Sequence, residues 1–256
     1  GAVVVRDGEA VGEGANERAG EPHAEPHALA NAGERSRGAD LYVTLEPCST
    51  AGRTPPCTEA VIRAGIRRVV VGARDPNPKH DGRGLDRLRS AGIRVDEVDP
   101  GGACRELIEP FAMSVREGRP LVTLKMASTL DGKIADRTGA SKWITGPEAR
   151  EEVQALRRRA DGILVGAGTV AVDDPSLWPR PDNGRRPVRI VVDPRGRIPA
   201  GARVFTDGAA DRTWVAVTAD TPAAFRERAA GAGADVFEVE RAEGGCSLPG
   251  LLAELG

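Results

Sequence analysis

Three residues with metal-binding side chains and one carboxylate are spaced so that they could activate water. His23, Cys48 and Cys57 offer one imidazole and two thiols, and Glu25 stands two positions after His23. A zinc ion that activates water needs three protein ligands and one open position, and it lowers the pKa of bound water to about 7. A nearby carboxylate that is not a ligand can take the water proton and pass it to a departing amine. The spacing therefore predicts a catalytic zinc centre with Glu25 as its proton shuttle.

The order of these residues resembles that of zinc-dependent nucleobase deaminases. Those enzymes carry His-x-Glu followed by Pro-Cys-x-x-Cys, and they attack C4 of cytosine or C6 of adenine. Here His23-Ala24-Glu25 and Pro47-Cys48 fit, but eight residues, Ser49 to Pro56, separate the two cysteines. The longer loop indicates a particular branch of these deaminases.

The same residues have plainer interpretations. The cysteines could be small buried side chains, and a His-x-Glu triplet often occurs by chance. A metal site is favoured because two prolines precede Cys57 at a predicted helix start, where the helix dipole favours a thiolate. His27 follows His23 by four positions, but a metalloprotease helix needs Glu directly after its first His. We therefore interpret His27 as a helix-face residue and His80 as a loop residue.

Composition and charge favour a small-molecule substrate. The 36 basic and 38 acidic residues give a net charge of −2, so the composition has no excess of positive charge for binding nucleic acid. Aromatic residues make up only 3%, which argues against binding of single strands by base stacking on aromatic side chains. No apolar run approaches the roughly 18 residues of a membrane span, and no signal-peptide pattern precedes the first strand. We expect a cytoplasmic protein without nucleic-acid or membrane partners, in which Cys104 and Cys246 are reduced core thiols. Whether it forms a homo-oligomer is left open.

Strand and helix patterns alternate along the first half of the chain. Asp7-Gly8 marks a hairpin turn between two short strands in residues 2–13. Further strands are predicted at 41–45, 68–72 and 93–98, and helices at 24–32, 57–65 and 84–91. This alternation predicts a largely parallel or mixed sheet with helices on its faces and ligands at strand ends. A helix at 103–117, ended by Gly118, is predicted to connect two domains.

The strand and helix patterns in the second half of the chain predict another α/β unit. Its expected elements are strands at 121–126, 162–165, 188–192, 214–217 and 235–239, a helix at 148–160 and a short helix at 247–255. Gly166 and Gly168 follow a strand that is expected to be buried, and such glycines can let backbone amides approach a phosphate. A dinucleotide fingerprint would need glycine at position 171, which is alanine, so a structural turn is favoured.

Several polar or aromatic residues could converge around these glycines. They are Lys125, expected within the first strand, Asp131, Trp143, Asp173 and Asp174. Each also has an ordinary interpretation, with Trp143 as a core residue and Asp131 and Asp174 as turn formers.

Seven stretches, in one order along the chain, resemble the bifunctional deaminase and reductase family of riboflavin biosynthesis. They are GEPHAEPHAL at 20–29, YVTLEPC at 42–48, GRTPPC at 52–57, DPNP at 75–78, STLDGKIA at 128–135, SKWIT at 141–145 and DDPSL at 173–177. The long loop between Cys48 and Cys57 is distinctive of this family among zinc deaminases. The resemblance implies an α/β chain with a cytidine-deaminase-like three-layer α/β/α domain at 1–118, followed by a dihydrofolate-reductase-like α/β domain at 119–256.

The resemblance also implies two reactions and their residues. The first domain would be a hydrolase that deaminates 2,5-diamino-6-ribosylamino-4(3H)-pyrimidinone 5′-phosphate, and the second an oxidoreductase that uses NADPH to reduce the ribosyl group to ribityl. Zinc would be bound by His23, Cys48 and Cys57, with Glu25 as the catalytic residue. NADPH would contact Ala127, Trp143, Thr169 and Asp173, and the reductase substrate would contact Ser141, Arg157, Leu177 and Arg180.

The chain departs from the family pattern at two places beside the predicted deaminase pocket. Ala15-Asn16 stands where the family usually has Tyr-His, and Ser49-Thr50 where it usually has Ser-His. The family also has a helix before position 1, and a glutamate and a glycine-rich NADPH loop after position 256, so we expect this chain to be truncated at both ends. Two alternatives stay open: a related deaminase of another pyrimidine or purine, and a non-catalytic module stabilised by zinc.

Overall fold

A computed structural model divides the chain into two compact units, Gly1–Leu121 and Val122–Gly256. It describes every residue except Glu17, Ala19, Arg53 and Asn183. Arg53, in the GRTPPC stretch quoted above, therefore lies outside the described residues. Within the described part of the chain, no helix has the length and apolar character needed to cross a membrane.

The first unit is a five-stranded mixed sheet with helices. Its strands are β1 (Ala2–Arg6), β2 (Glu9–Gly14), β3 (Asp40–Leu45), β4 (Arg68–Ala73) and β5 (Arg94–Glu97), in the spatial order β2-β1-β3-β4-β5. β1 is antiparallel to both its neighbours, whereas β3, β4 and β5 run parallel. The helices are α1 (Ala24–Ala32), α2 (Cys57–Arg63), α3 (Arg83–Ser90) and α4 (Ala103–Glu117), with 3₁₀ turns at Gly33–Ser36 and Pro100–Gly102.

The local signals for this unit are confirmed. Asp7 and Gly8 have φ values of 52° and 84°, as a tight hairpin turn requires. The helix predicted at 103–117 ends at Gly118, whose φ is 62°. Val4, Leu41 and Val69 are fully buried in the core between the sheet and its helices.

Two glycines let α1 lie unusually close to β2. A Cβ atom on Gly12 would lie 2.2 Å from the carbonyl oxygen of Ala28, and one on Gly14 would lie 2.1 Å from that of Ala24. Any larger side chain at either position would therefore push the helix away from the strand. The close approach fixes the start of α1, where His23 and Glu25 lie.

The second unit has a four-stranded parallel sheet. Its strands β6 (Gly162–Gly166), β7 (Val188–Val192), β8 (Thr213–Val217) and β9 (Asp235–Glu238) lie in chain order, and β10 (Arg241–Ala242) pairs with β11 (Gly245–Cys246). The helices are α5 (Pro147–Arg159), α6 (Ala167–Asp173), α7 (Arg203–Thr206), α8 (Ala223–Gly231) and α9 (Leu248–Glu254), with a 3₁₀ turn at Ala210–Arg212. The core contains Val191, Val204 and Val215.

Several expectations for this unit are wrong. Residues 121–126 form no strand, so Lys125 does not lie within one, and Val122, Leu124 and Met126 are 55%, 79% and 66% exposed. A strand needs a neighbour to satisfy its backbone groups, and none of the described strands pairs with this segment. Trp143 is 72% exposed, so it is not a core residue.

The glycine-rich segment also differs from its prediction. β6 alternates between exposed and half-buried positions instead of being buried throughout. Gly166 caps α6, so the expected turn is the first turn of a helix. α6, α7 and α8 were not predicted, because short helices without a long periodic pattern give little signal. Cys104 and Cys246 are free thiols, but they are half-buried rather than core residues.

Candidate active site

Three elements of the first unit bring the predicted zinc ligands together. His23 immediately precedes α1, Cys48 follows β3, and Cys57 begins α2. Nδ1 of His23 lies 3.6 Å from Sγ of Cys48 and 3.3 Å from Sγ of Cys57. A tetrahedral zinc ion would hold a sulfur and a nitrogen ligand about 3.6 Å apart. The three side chains are therefore spaced to hold one zinc ion.

One side of this group faces solvent. Cys57 is only 1% exposed, whereas His23 and Cys48 are half-buried. The ligand atoms lie within 4.8 Å of one another, and no fourth His, Cys, Asp or Glu of the described chain belongs to the group. Three protein ligands with an accessible side are typical of a catalytic zinc site, because a structural site is closed by four.

The two thiols share their environment. The backbone N–H of Cys57 donates to Sγ of Cys48 at 3.3 Å, and the N–H of Thr58 donates to the carbonyl oxygen of Cys48 at 3.1 Å. Contact with the Cys57 thiol lowers the pKa of Cys48 to about 5, and the same contact, together with burial, raises the pKa of Cys57. Zinc binds both sulfurs as thiolates, so metal binding would release protons from this pair.

Glu25 lies against the metal-binding group without belonging to it. It is 7% exposed, in the first turn of α1, and burial raises the pKa of its carboxyl group. Its side chain interacts with the thiol of Cys57. A carboxyl group with a raised pKa holds its proton more strongly than an exposed one, which favours a group that must donate the proton after accepting it.

A second buried carboxylate, missed in the sequence, supports the site. Glu46 directly follows β3, beside Pro47, and is 5% exposed. Its oxygens accept backbone N–H groups from Asp75, Gly82 and Gly84 at 3.1, 3.0 and 2.8 Å. These donors lie 29 to 38 positions away in the chain, so no local pattern reveals them.

The two histidines outside the metal group lie where they were expected. His27 is on α1, with Nδ1 3.1 Å from the carbonyl oxygen of Ala15, and His80 is in the turn before α3. Nδ1 of His80 lies 3.4 Å from Oγ1 of Thr50. Asn16 is exposed. One of the two departures from the family pattern therefore contacts a histidine from another loop.

The eight residues implied for the reductase lie in four parts of the second unit. Ala127, Ser141 and Trp143 lie in the irregular segment before α5, Arg157 lies on α5, Thr169 and Asp173 lie on α6, and Leu177 and Arg180 follow α6. Nζ of Lys142 lies 2.9 Å from Oδ1 of Asp173, and the guanidinium of Arg150 lies 4.5 Å from the ring centre of Trp143. Among the described residues, no side-chain hydrogen bond or ion pair involves Ser141 or Thr169.

Among these eight residues, Arg157 and Arg180 have the side chains best suited to binding an anion. Burial lowers the pKa of Arg157, and the positive charge of Arg180 lowers it further. α5 fixes the backbone of Arg180, whose N–H donates to Oε1 of Gln154 at 2.9 Å. Two neighbouring guanidinium groups favour an anion such as a phosphate ester. Leu177, by contrast, is only 2% exposed and packs in the core.

A buried arginine on β7 binds the end of α7 and the residues that follow it. Arg189 is fully buried and contacts Asp207 through both terminal nitrogens, at 2.5 and 3.2 Å. It also donates to the carbonyl oxygens of Val204 and Ala209 at 3.1 and 2.7 Å. Its guanidinium lies 4.3 Å from the ring centre of Trp178. Sequence reasoning missed this cluster, because an arginine in a strand usually faces solvent.

We expect the purified chain to bind about one zinc ion, and Cys57→Ser to lose it in the presence of a competing chelator. The variant replaces a thiolate ligand with a poorly coordinating hydroxyl group. Zinc content measured by atomic emission after chelator dialysis would test this. Cys104→Ser, which changes a half-buried free thiol outside the metal group, is the matched control. Equal zinc retention by both variants would contradict the assigned ligand set.

Both halves of the chain match known protein families. Residues 120–256 match the RibD C-terminal domain, and residues 1–73 match the cytidine and deoxycytidylate deaminase zinc-binding region. These matches agree with the two α/β domain types that the sequence implied.

Similar proteins match most of the chain. Riboflavin biosynthesis protein RibD of Aquifex aeolicus is 53% identical over 80% of this chain and 58% of its own length, and that of Bacillus amyloliquefaciens is 47% identical over 94% and 65%. The structure of Acinetobacter baumannii RibD, form 1, superposes with a TM-score of 0.84 at 38% identity, covering 99% of this chain and 69% of that one. The chain thus spans about three fifths of the length of these two curated relatives. The match to the solved RibD structure confirms the predicted α/β fold class.

Proposed function

The chain belongs to the riboflavin biosynthesis protein RibD family, and from this premise we propose that it is a bifunctional deaminase and reductase. Residues 1–118 would be the zinc-dependent hydrolase, acting on the cyclic amidine of 2,5-diamino-6-ribosylamino-4(3H)-pyrimidinone 5′-phosphate. Residues 119–256 would be the NADPH-dependent oxidoreductase that converts the ribosyl group to ribityl. The observation that carries the proposal is the His23, Cys48 and Cys57 group with Glu25 beside it.

The chain's own residues account for the proton movements of the deamination. When bound, zinc supplies the Lewis acidity that makes water nucleophilic at neutral pH. His23, Cys48 and Cys57 would hold the ion with one position open towards solvent. Glu25 would accept a proton from the attacking water and donate it to the exocyclic nitrogen of the substrate. The C–N bond then breaks, a carbonyl group remains on the ring, and the amine leaves as ammonia.

For the reductase, we propose the residues that the family resemblance implies. Ala127, Trp143, Thr169 and Asp173 would contact NADPH, and Ser141, Arg157, Leu177 and Arg180 would contact the substrate. Support comes from Arg157 and Arg180, whose neighbouring positive charges suit the substrate phosphate. Since Asp173 pairs with Lys142, cofactor binding there would compete with this ion pair.

We further propose a cytoplasmic setting and a small-molecule substrate. The near balance of 36 basic and 38 acidic residues and the 3% aromatic content support a pyrimidine nucleotide-like ligand over nucleic acid.

Deamination is tested by incubating the zinc-loaded chain with the pyrimidinone phosphate and measuring ammonia release and product mass. A panel of other pyrimidines and purines is run alongside, because Asn16 and Thr50 depart from the family pattern. Turnover of another base alone would favour the related deaminase. No turnover of any compound by zinc-loaded protein would favour a zinc-stabilised module. Titration with NADPH, followed by its fluorescence, tests the second half separately, and saturable binding would support cofactor contacts by residues 119–256.

A further inference from the structure

Thr50 and His80 form a polar pair beside the metal centre. Oγ1 of Thr50 lies 3.4 Å from Nδ1 of His80. Thr50 is two residues after the ligand Cys48, so the two Cα atoms lie at most about 7.6 Å apart. Thr50 is exposed and His80 is half-buried. The pair therefore lies near the solvent-facing side of the metal group rather than beneath it.

The loop that carries His80 is fixed relative to Cys48. Glu46, two residues before Cys48, accepts N–H groups from both ends of this loop, at Asp75 and at Gly82. Within the loop, the N–H of His80 donates to the carbonyl oxygen of Asn77 at 2.8 Å. One buried carboxylate thus positions His80 and the start of the metal-binding loop together. The imidazole is placed by this network and not only by its weak contact with Thr50.

The position of the pair suits the part of a substrate that points away from the reacting bond. The amidine of the proposed substrate must lie against the metal group and Glu25, which is 7% exposed. Its ribosyl phosphate arm would then extend towards solvent, on the side where Thr50 is exposed and His80 is half-buried. A hydroxyl and an imidazole both supply hydrogen-bond donors for phosphate oxygens.

We propose that His80 and Thr50 bind the 5′-phosphate of the deaminase substrate and so set the specificity of this half for phosphorylated compounds. The inference rests on the proposed deaminase function. It assigns a positioning role, not a proton-transfer role, because neither side chain belongs to the metal group or contacts Glu25 in the described structure. Losing either side chain should therefore weaken substrate binding and leave the chemical step intact.

The test measures deamination by the full chain with the pyrimidinone substrate and with the same compound lacking its phosphate. His80→Ala and Thr50→Val are each expected to raise KM for the phosphorylated compound about tenfold, with kcat unchanged within twofold. Neither should change KM for the dephosphorylated compound. Thr50→Ser and His80→Gln, which keep a donor at each position, are the matched controls and should retain most of the affinity.

The possible outcomes distinguish a failure of the phosphate-binding role from a failure of the proposed deaminase function. If the wild-type chain deaminates both compounds and neither variant changes KM for the phosphorylated one, the phosphate role is wrong. Equal losses with both compounds would also overturn it, since the pair would then support the loop rather than bind phosphate. If the zinc-loaded wild-type chain releases no ammonia from either compound, the proposed deaminase function itself fails, and the inference falls with it.

Discussion

Replacing Glu25 with glutamine is expected to lower kcat for deamination by about 10²- to 10⁴-fold. Glutamine has nearly the same shape but cannot accept a proton from water or donate one to the departing amine. Glu25 is not one of the three grouped ligands, so zinc content should remain at about one ion per chain. Initial rates of ammonia release and metal analysis of the same preparation would measure both effects.

Glu34→Gln is the matched control, since Glu34 is exposed in the 3₁₀ turn that follows α1. It makes the same chemical change a short distance along the chain and should leave the rate unaltered. A Glu25→Gln variant that retains full activity would refute the proton-shuttle role. One that loses its zinc would instead make Glu25 part of the metal-binding set.

Arg189→Met should lower the free energy of unfolding of the second unit by about 2 to 4 kcal/mol, because several hydrogen bonds of a buried guanidinium are lost. Arg189 is fully buried, and its loss removes charge-assisted hydrogen bonds to the carboxylate of Asp207 and to the carbonyl oxygens of Val204 and Ala209. A hydrogen bond to a charged group typically contributes about 1.5 to 3 kcal/mol, whereas the exposed carboxylate of Asp207 can be rehydrated once Arg189 is gone. Urea unfolding, followed by tryptophan fluorescence, would report the change, because Trp143, Trp178 and Trp214 all lie in the second unit.

Arg203→Met provides the comparison, because Arg203 pairs with Asp174 while its side chain is 63% exposed. An exposed pair contributes at most about 1 kcal/mol, so this variant should unfold almost as the wild type does. Similar losses for Arg189→Met and Arg203→Met would show that the buried cluster is not a special source of stability.

The parts of the fold that the sequence predicted have local signals. The Asp7-Gly8 turn and the helix start at Cys57 follow from residues within a few positions of each feature, and the structure agrees. His23, Cys48 and Cys57 could be proposed as ligands because metal chemistry restricts the residue types so strongly. Their meeting at one point depends on the strand order β2-β1-β3-β4-β5, whereas the alternating pattern predicted only a largely parallel or mixed sheet with ligands at strand ends.

The features that were missed or mispredicted depend on distant partners. Residues 121–126 have the apolar composition of a strand, but a strand forms only where another strand pairs with it. Glu46 and Arg189 look like ordinary surface residues until the amides and carbonyl oxygens around them are known. Their burial is set by tertiary contacts, which no short window of sequence contains.

The close approach of α1 to β2 means that residues with no catalytic or metal-binding side chain are also needed for activity of the deaminase unit. Gly12 and Gly14 bear no side chain, yet each lies where a single methyl group would collide with the helix backbone. That helix carries Glu25 and begins directly after His23. In a mutational scan scored by enzyme turnover, these two glycines would therefore tolerate as few replacements as the metal ligands, although they take part in no chemical step.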